Sequence, residues 1–483
     1  MVAEITLRVL RCLLGVYDRC IAPPGRVLTP RHVARVQRFS EQSQGPENDP
    51  PRSIKMKTSS VWTGCVALAM ATAMSDGARA QIAPPTPEAK ASRGETVATR
   101  ARPELEPLGI RAGTFLIYPS FGIDGTYNDN VFATKDGEQD DFITDLRPEL
   151  SVASNWANHA VNFSTGADIG RHATYSRLNY EDWFVTGDGR LDITRDSALF
   201  LGGGYSREHE DPGEPDAADD AQNPTEYDLI NGFGRYVHKF GRFRGIGEAT
   251  ILRLDYDKTN TRAGPSFNNN GRDRNVYAGG LQLGYELVPS YEAFVRAQGN
   301  ERQYDRRVDA GGEERNSHGY DAVVGVALDL GGVTFGEVYA GYLEQFYEDD
   351  ALSTTSAPTF GGALTWNATT LTTVNARVAR VVQETTETGS SGILRTTGAL
   401  SADHELLRNL ILTAELTITN DDYENIKRND YYYIPGLNMR YLMNRNLYAN
   451  IGYQFVHFIT NGRDSTDESF DQNVFRIGLE AQL

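Results

Sequence analysis

Histidines, cysteines and a run of carboxylates are the residues in this chain whose chemistry could build a site. The eight histidines are His32, His159, His172, His209, His238, His318, His404 and His457, and no two share the short helical spacing of a zinc site. Cys12, Cys20 and Cys65 are the only thiols, all before the segment read below as mature chain, so neither a disulfide nor a thiolate metal site is expected there. The stretch from Glu208 to Asp220 gathers seven carboxylates, Glu208, Glu210, Asp211, Glu214, Asp216, Asp219 and Asp220. It lacks the Asp-x-Asp-x-Asp-Gly order of a calcium loop and reads as a solvated loop. Gly202-Gly203-Gly204 is followed by neither Lys-Ser/Thr nor a helical pattern, as a phosphate loop would be, and no G-x-S-x-G elbow occurs. The expectation is a chain that is not an enzyme and has no metal or cofactor.

The elements around these residues explain why they are scattered. From Phe115 onward the sequence divides into segments of about 10 to 14 residues with alternating polarity, the length and period of a tilted membrane strand. In the last of them Phe475, Ile477, Leu479, Ala481 and Leu483 share one face, and Arg476, Gly478, Glu480 and Gln482 the other. Tyr291 to Gln298, Asp321 to Asp329 and Leu410 to Ile418 divide in the same way, whereas Phe243 to Tyr256 has both faces mixed. Eighteen such segments can be drawn, from 115–127 to 472–483 and including 359–368 and 410–420, with sixteen or twenty open as alternatives.

The connections alternate between short ones, such as Val288 to Ser290, and long polar ones, such as Glu208 to Thr225 and Asp257 to Arg272. That rhythm is the short periplasmic turn and long outer loop of an outer-membrane barrel. Trp156, Tyr180, Trp183, Tyr227, Tyr256, Tyr285, Tyr291, Tyr347, Trp366, Tyr441 and Tyr448 fall near strand ends and are expected at the membrane interfaces. Pro119, Pro148 and Pro435 lie inside strands, where each should mark a bulge or a break. The fold class expected is all-β, a transmembrane antiparallel outer-membrane barrel of a Gram-negative cell.

The start of the chain sets the compartment. Residues 56–80 begin with Met56-Lys57, continue through an apolar run from Val61 to Met74 and end in Ala78-Arg79-Ala80, the order of a secretory signal peptide cleaved before Gln81. Residues 1–55 then read as an upstream extension or disordered arm, 81–111 as a flexible periplasmic lead-in rich in Pro and Ala, and 112–483 as the barrel. Residues 1–55 hold nine Lys+Arg and five Asp+Glu; without them the chain holds 38 and 60, a net −22, which argues against nucleic acid as a partner.

The stretches LGIRAGTFLIYPSFGIDGTYNDNVFAT at 108–134, DFITDLRPELSV, GADIGRHA, DGRLDITRD and PTEYD make the chain resemble the β-barrel porin type 2 family over roughly residues 107–483. The resemblance implies an outer-membrane barrel, with relatives linked to exopolysaccharide export, and supplies no catalytic residues. An eighteen-strand barrel is wide enough for an aqueous lumen with a polar lining. Glu286, Glu292, Arg296, Asp321, Glu337, Glu415, Arg440, Arg476 and Glu480 are the expected lumen-facing residues. The function expected is passage of a hydrophilic polymer or solute, exopolysaccharide export being preferred. A passive diffusion porin and a structural or adhesive barrel are the alternatives. Outer-membrane lipid, lipopolysaccharide and periplasmic polysaccharide-export proteins are the expected partners.

Overall fold

The computed structural model describes residues 95–483 except 218–220, 262–265, 310 and 464–468. The segments expected as a signal peptide and as an extension before it lie outside the described residues. Eighteen long strands follow one another: β2 (Phe115–Asn128), β3 (Asp141–Ser154), β4 (Ala160–His172), β5 (Tyr180–Thr194), β6 (Ser197–Glu210), β7 (Thr225–Phe240), β8 (Phe243–Tyr256), β9 (Arg274–Val288), β10 (Tyr291–Tyr304), β11 (Ser317–Leu330), β12 (Thr334–Tyr347), β13 (Thr355–Thr369), β14 (Thr372–Gln383), β15 (Ile393–Leu407), β16 (Leu410–Tyr423), β17 (Arg428–Leu442), β18 (Leu447–Gly462) and β19 (Phe470–Gln482). A three-residue strand, β1 (Ile110–Ala112), folds back onto the foot of β2.

Every long strand pairs antiparallel with its neighbours in sequence, and β19 returns to β2 from Val474↔Asn128 to Gln482↔Ser120. The sheet is therefore a closed ring of eighteen, and a closed ring leaves no backbone edge to be satisfied in hydrocarbon. Turns of two to five residues, such as 195–196, 289–290 and 155–159, join strands at one end. At the other end the connections include 129–140, 211–224, 257–273 and 305–316.

Side-chain exposure follows the strand period. On β19, Phe475, Ile477 and Leu479 are 52%, 62% and 46% exposed, while Gly478 between them and Val474 and Glu480 on either side are buried. The same alternation places Val295, Val324, Leu281 and Leu437 outside, on an apolar face suited to lipid. The mixed faces of β8 have a physical cause. Its inward Leu252, Leu254 and Tyr256 pack with Tyr227, Leu229 and Val276 into an apolar cluster at the loop end of the interior.

Several expectations need correction. The prolines neither bulge nor end their strands. Pairing is missing beside Pro148 (between Leu146↔Ile169 and Glu149↔Gly166) and beside Pro435 (between Tyr433↔His457 and Gly436↔Gln454), yet the register is unchanged across each gap. Pro119 lies where β19 ends, next to Gln482↔Ser120, and keeps its pairing with Leu150. The register shifts fall instead at turn-proximal positions such as Asp192/Thr194 and Glu405/Leu407. Among the expected interface aromatics, Trp156, Trp183, Tyr285, Tyr291, Trp366 and Tyr441 are exposed. Tyr227, Tyr256, Tyr347 and Tyr448 turn inward instead, because each shares its strand face with buried residues, and Tyr180 turns inward to donate its hydroxyl to Asp145 at 2.9 Å. The strand expected at 359–368 runs from Thr355 to Thr369.

Candidate transport lumen and its two mouths

Strand alternation delivers one inward side chain per two residues, so the lining is set by the register between neighbours. The nine expected lumen residues all occupy the face opposite the exposed apolar one. Most of them meet across the ladder. Arg244 reaches Glu292 at 2.8 Å, Lys239 reaches Glu286 at 3.4 Å, and Arg296 lies 3.9 Å from Glu337 with its guanidinium 4.4 Å from the centre of the Tyr339 ring. Arg440 reaches Glu480 at 3.4 Å and covers the Tyr448 ring, and Arg476 donates from Nε to Thr126 Oγ1 at 3.2 Å. Asp321 stands between Gln298 and Leu343, and Glu415 between Ser401 and Gly436. Thr186, Asp188 and Asn231 share the inward face of β5 and β7 yet are exposed, which marks a water-accessible interior on that side. Gly204, between Thr186 and Asn231 on β6, adds no side chain to that wall.

At the loop end the lining is a set of buried ion pairs that strand patterning did not reveal. Arg272 is paired with Glu210, its Nη1 donating to Oε2 at 2.9 Å, and Arg395 donates to Asp421 at 2.6 and 2.5 Å. Arg428 holds Asp430 at 2.7 Å and Glu387 at 3.0 Å, while Arg302 is paired with Glu384. Buried charges are tolerated only when paired in this way.

The acidic stretch expected as a free solvated loop departs from that reading. Glu208 accepts hydrogen bonds from Ser206 and Tyr227, and His209 lies between Asp182 and Asp211. Beyond β6 the loop reaches far across the mouth. Asp216 Oδ1 accepts from Thr385 Oγ1 at 2.8 Å and from the Thr386 amide at 2.9 Å, although the loop after β14 starts eight strands away round the ring. The Tyr432 hydroxyl donates to the Gly213 carbonyl at 3.4 Å. The loop is thus a strap over the outer mouth. Elsewhere on this surface the amides of Glu314 and Ala351 hold the Asp349 carboxyl below its ordinary range, and Arg253 does the same for Asp305.

The opposite mouth corrects the second expectation. The lead-in was expected to be flexible to residue 111, but its described part, from Glu95, is docked against the inner wall. Val97, 1% exposed, donates its amide to Thr373 Oγ1 at 2.9 Å, and Arg100 and Arg102 meet Glu405 at 3.1 and 2.7 Å. The Tyr448 hydroxyl donates to the Leu105 carbonyl at 2.6 Å. These contacts are polar and individual, which is why no periodicity in the lead-in announced them. Among the described residues no three His, Cys, Asp or Glu side chains converge as a metal site would require.

A closed ring with an apolar outside and a charged, partly wetted inside defines a porin-like barrel of the outer membrane. The chain belongs to the family described as "Putative beta-barrel porin 2", whose model matches residues 102–483. No curated protein matches the sequence. Among solved structures it is similar to the siderophore receptor PirA from Pseudomonas aeruginosa, at 9% identity over 78% of this chain and 81% of that one, with a TM-score of 0.39. OccK3 (OpdO) of Pseudomonas aeruginosa matches at 13% identity, 76% and 95% coverage and a TM-score of 0.37. A BenF-like porin from Pseudomonas fluorescens Pf-5 matches at 9% identity, 76% and 99% coverage and a TM-score of 0.40. Likenesses this remote add nothing to what strands, register and family establish.

Proposed function

We propose that the barrel is a non-catalytic conduit that passes a hydrophilic molecule through its lumen across the outer membrane. The observation that carries this reading is the inward face itself. Charged and polar side chains line it between outward apolar ones, and Thr186, Asp188 and Asn231 are exposed on it. Mixed signs in mutual ion pairs leave a lining without one dominant charge, which suits a neutral or weakly charged solute over a strongly charged one.

The preferred cargo is exopolysaccharide in export, with periplasmic export proteins handing it to the lead-in side and lipopolysaccharide surrounding the barrel. That preference rests on the family resemblance. Deletion of the gene tests it, with surface polysaccharide and uptake of small hydrophilic solutes measured together. Loss of surface polymer is the expected result. Unchanged polymer with reduced solute uptake would reject export in favour of passive diffusion, a second reading to which the self-neutralised lining lends support.

A further inference from the structure

The lead-in mouth holds a contact that an open conduit does not need. Glu405 and Asp403 of β15 face inward, 5% and 7% exposed, and Glu415 lies across the β15–β16 ladder opposite Ser401. The wall's own contribution to Glu405 is Arg408, half-exposed and 3.9 Å away. Its close partners, Arg102 at 2.7 Å and Arg100 at 3.1 Å, both come from the lead-in. Arg102 is itself 4% exposed, so the pair is buried between the segment and the wall. Apart from that pair the segment is held by the Val97 amide on Thr373, the Leu105 carbonyl on Tyr448, Arg100 on the Thr370 carbonyl, the half-exposed Arg408 on Glu104 and on the Ala101 carbonyl, and one fully buried apolar side chain, that of Val97. A segment held mainly by a few polar contacts, with little apolar burial, opens at much lower free energy than the barrel around it.

We propose that residues 95–109 are a releasable plug that narrows the periplasmic mouth, latched by Arg100 and Arg102 on Glu405. This rests on the conduit reading above. When the segment leaves, its two guanidinium groups leave with it, and Asp403, Glu405 and Glu415 then face the lumen without them. Release therefore widens the mouth and turns a masked acidic patch into one that concentrates cations, since charges lining a confined passage focus the field within it.

The test uses the full chain purified in detergent and the variants Glu405→Gln and Arg102→Ala, each checked for the slower or faster gel migration that distinguishes a folded barrel from a heated one. Trypsin cleavage after Arg100, mapped by mass spectrometry, reads release without any conduction. Both variants are expected to be cut roughly tenfold faster than the unaltered protein or more, the loss of one charge-assisted bond read through an opening equilibrium. In planar bilayers both should conduct more. Arg102→Ala, which keeps all three carboxylates, should shift the reversal potential further towards cations than Glu405→Gln. Equal cleavage of all three proteins, or faster cleavage with unchanged conductance and selectivity in a protein that conducts, would overturn the plug. Faster cleavage in the variants with every protein electrically silent would support the latch and contradict the conduit reading instead.

Discussion

Arg272 and Glu210 show what single residues contribute here. Both side chains are 8% exposed and each is the other's charge partner beneath the outer strap. Removing one partner of a buried pair leaves an uncompensated charge, at about 3 to 5 kcal/mol. Arg272→Ala is therefore expected to loosen the strap and lower the temperature at which the barrel loses its unheated gel mobility, whereas breaking a solvent-exposed pair such as Arg408 with Glu104 should change that temperature little. Which strand face the nine positions occupy was legible, because a period of two fixes the face of every side chain once one is known. The pairs of Arg272, Arg302 and Arg428 were not legible. One partner of each lies in a loop, and loops have no period from which to read where a side chain arrives. Arg100 and Arg102 were hidden for the same reason, in a lead-in whose composition resembles that of a linker.

At the scale of strands, the two faces make opposite demands. Val295 is 54% exposed on the lipid side of β10, and Gln298 lies three residues on, turned inward. Arg at position 295 should cost about 2 to 4 kcal/mol near the membrane midplane, and Arg at 298 little. Unfolding in lipid vesicles by urea measures both, and equal cost would refute the assignment of faces. Strand number and sidedness followed from alternation and loop rhythm. Strand ends did not, since hydrogen-bonded pairing continues past the apolar band into polar residues, as in Thr355–Thr369 and Leu410–Tyr423. Tyrosine was misread at five positions because its ring and hydroxyl suit a membrane interface and a wet lumen equally. Only the face decides, and Tyr227, Tyr256 and Tyr448 share theirs with Leu254 and Glu480.

For the whole molecule, closure of β19 on β2 is what makes the remainder possible: it removes the sheet edge, separates an outside from an inside, and leaves two mouths. The outer mouth is crossed by the strap anchored through Asp216, and the inner mouth is narrowed by the lead-in anchored through Glu405. Between them the wall is lined by paired charges and exposed polar groups. A molecule built this way should let ions move through its interior whenever both mouths are passable, whatever its natural cargo. The most direct measurement is single-channel recording of the purified, folded protein in a planar bilayer. Discrete current steps that scale with the conductivity of the electrolyte are predicted. A protein that inserts with its folded gel mobility intact and carries no current at any voltage or salt concentration would contradict the conduit.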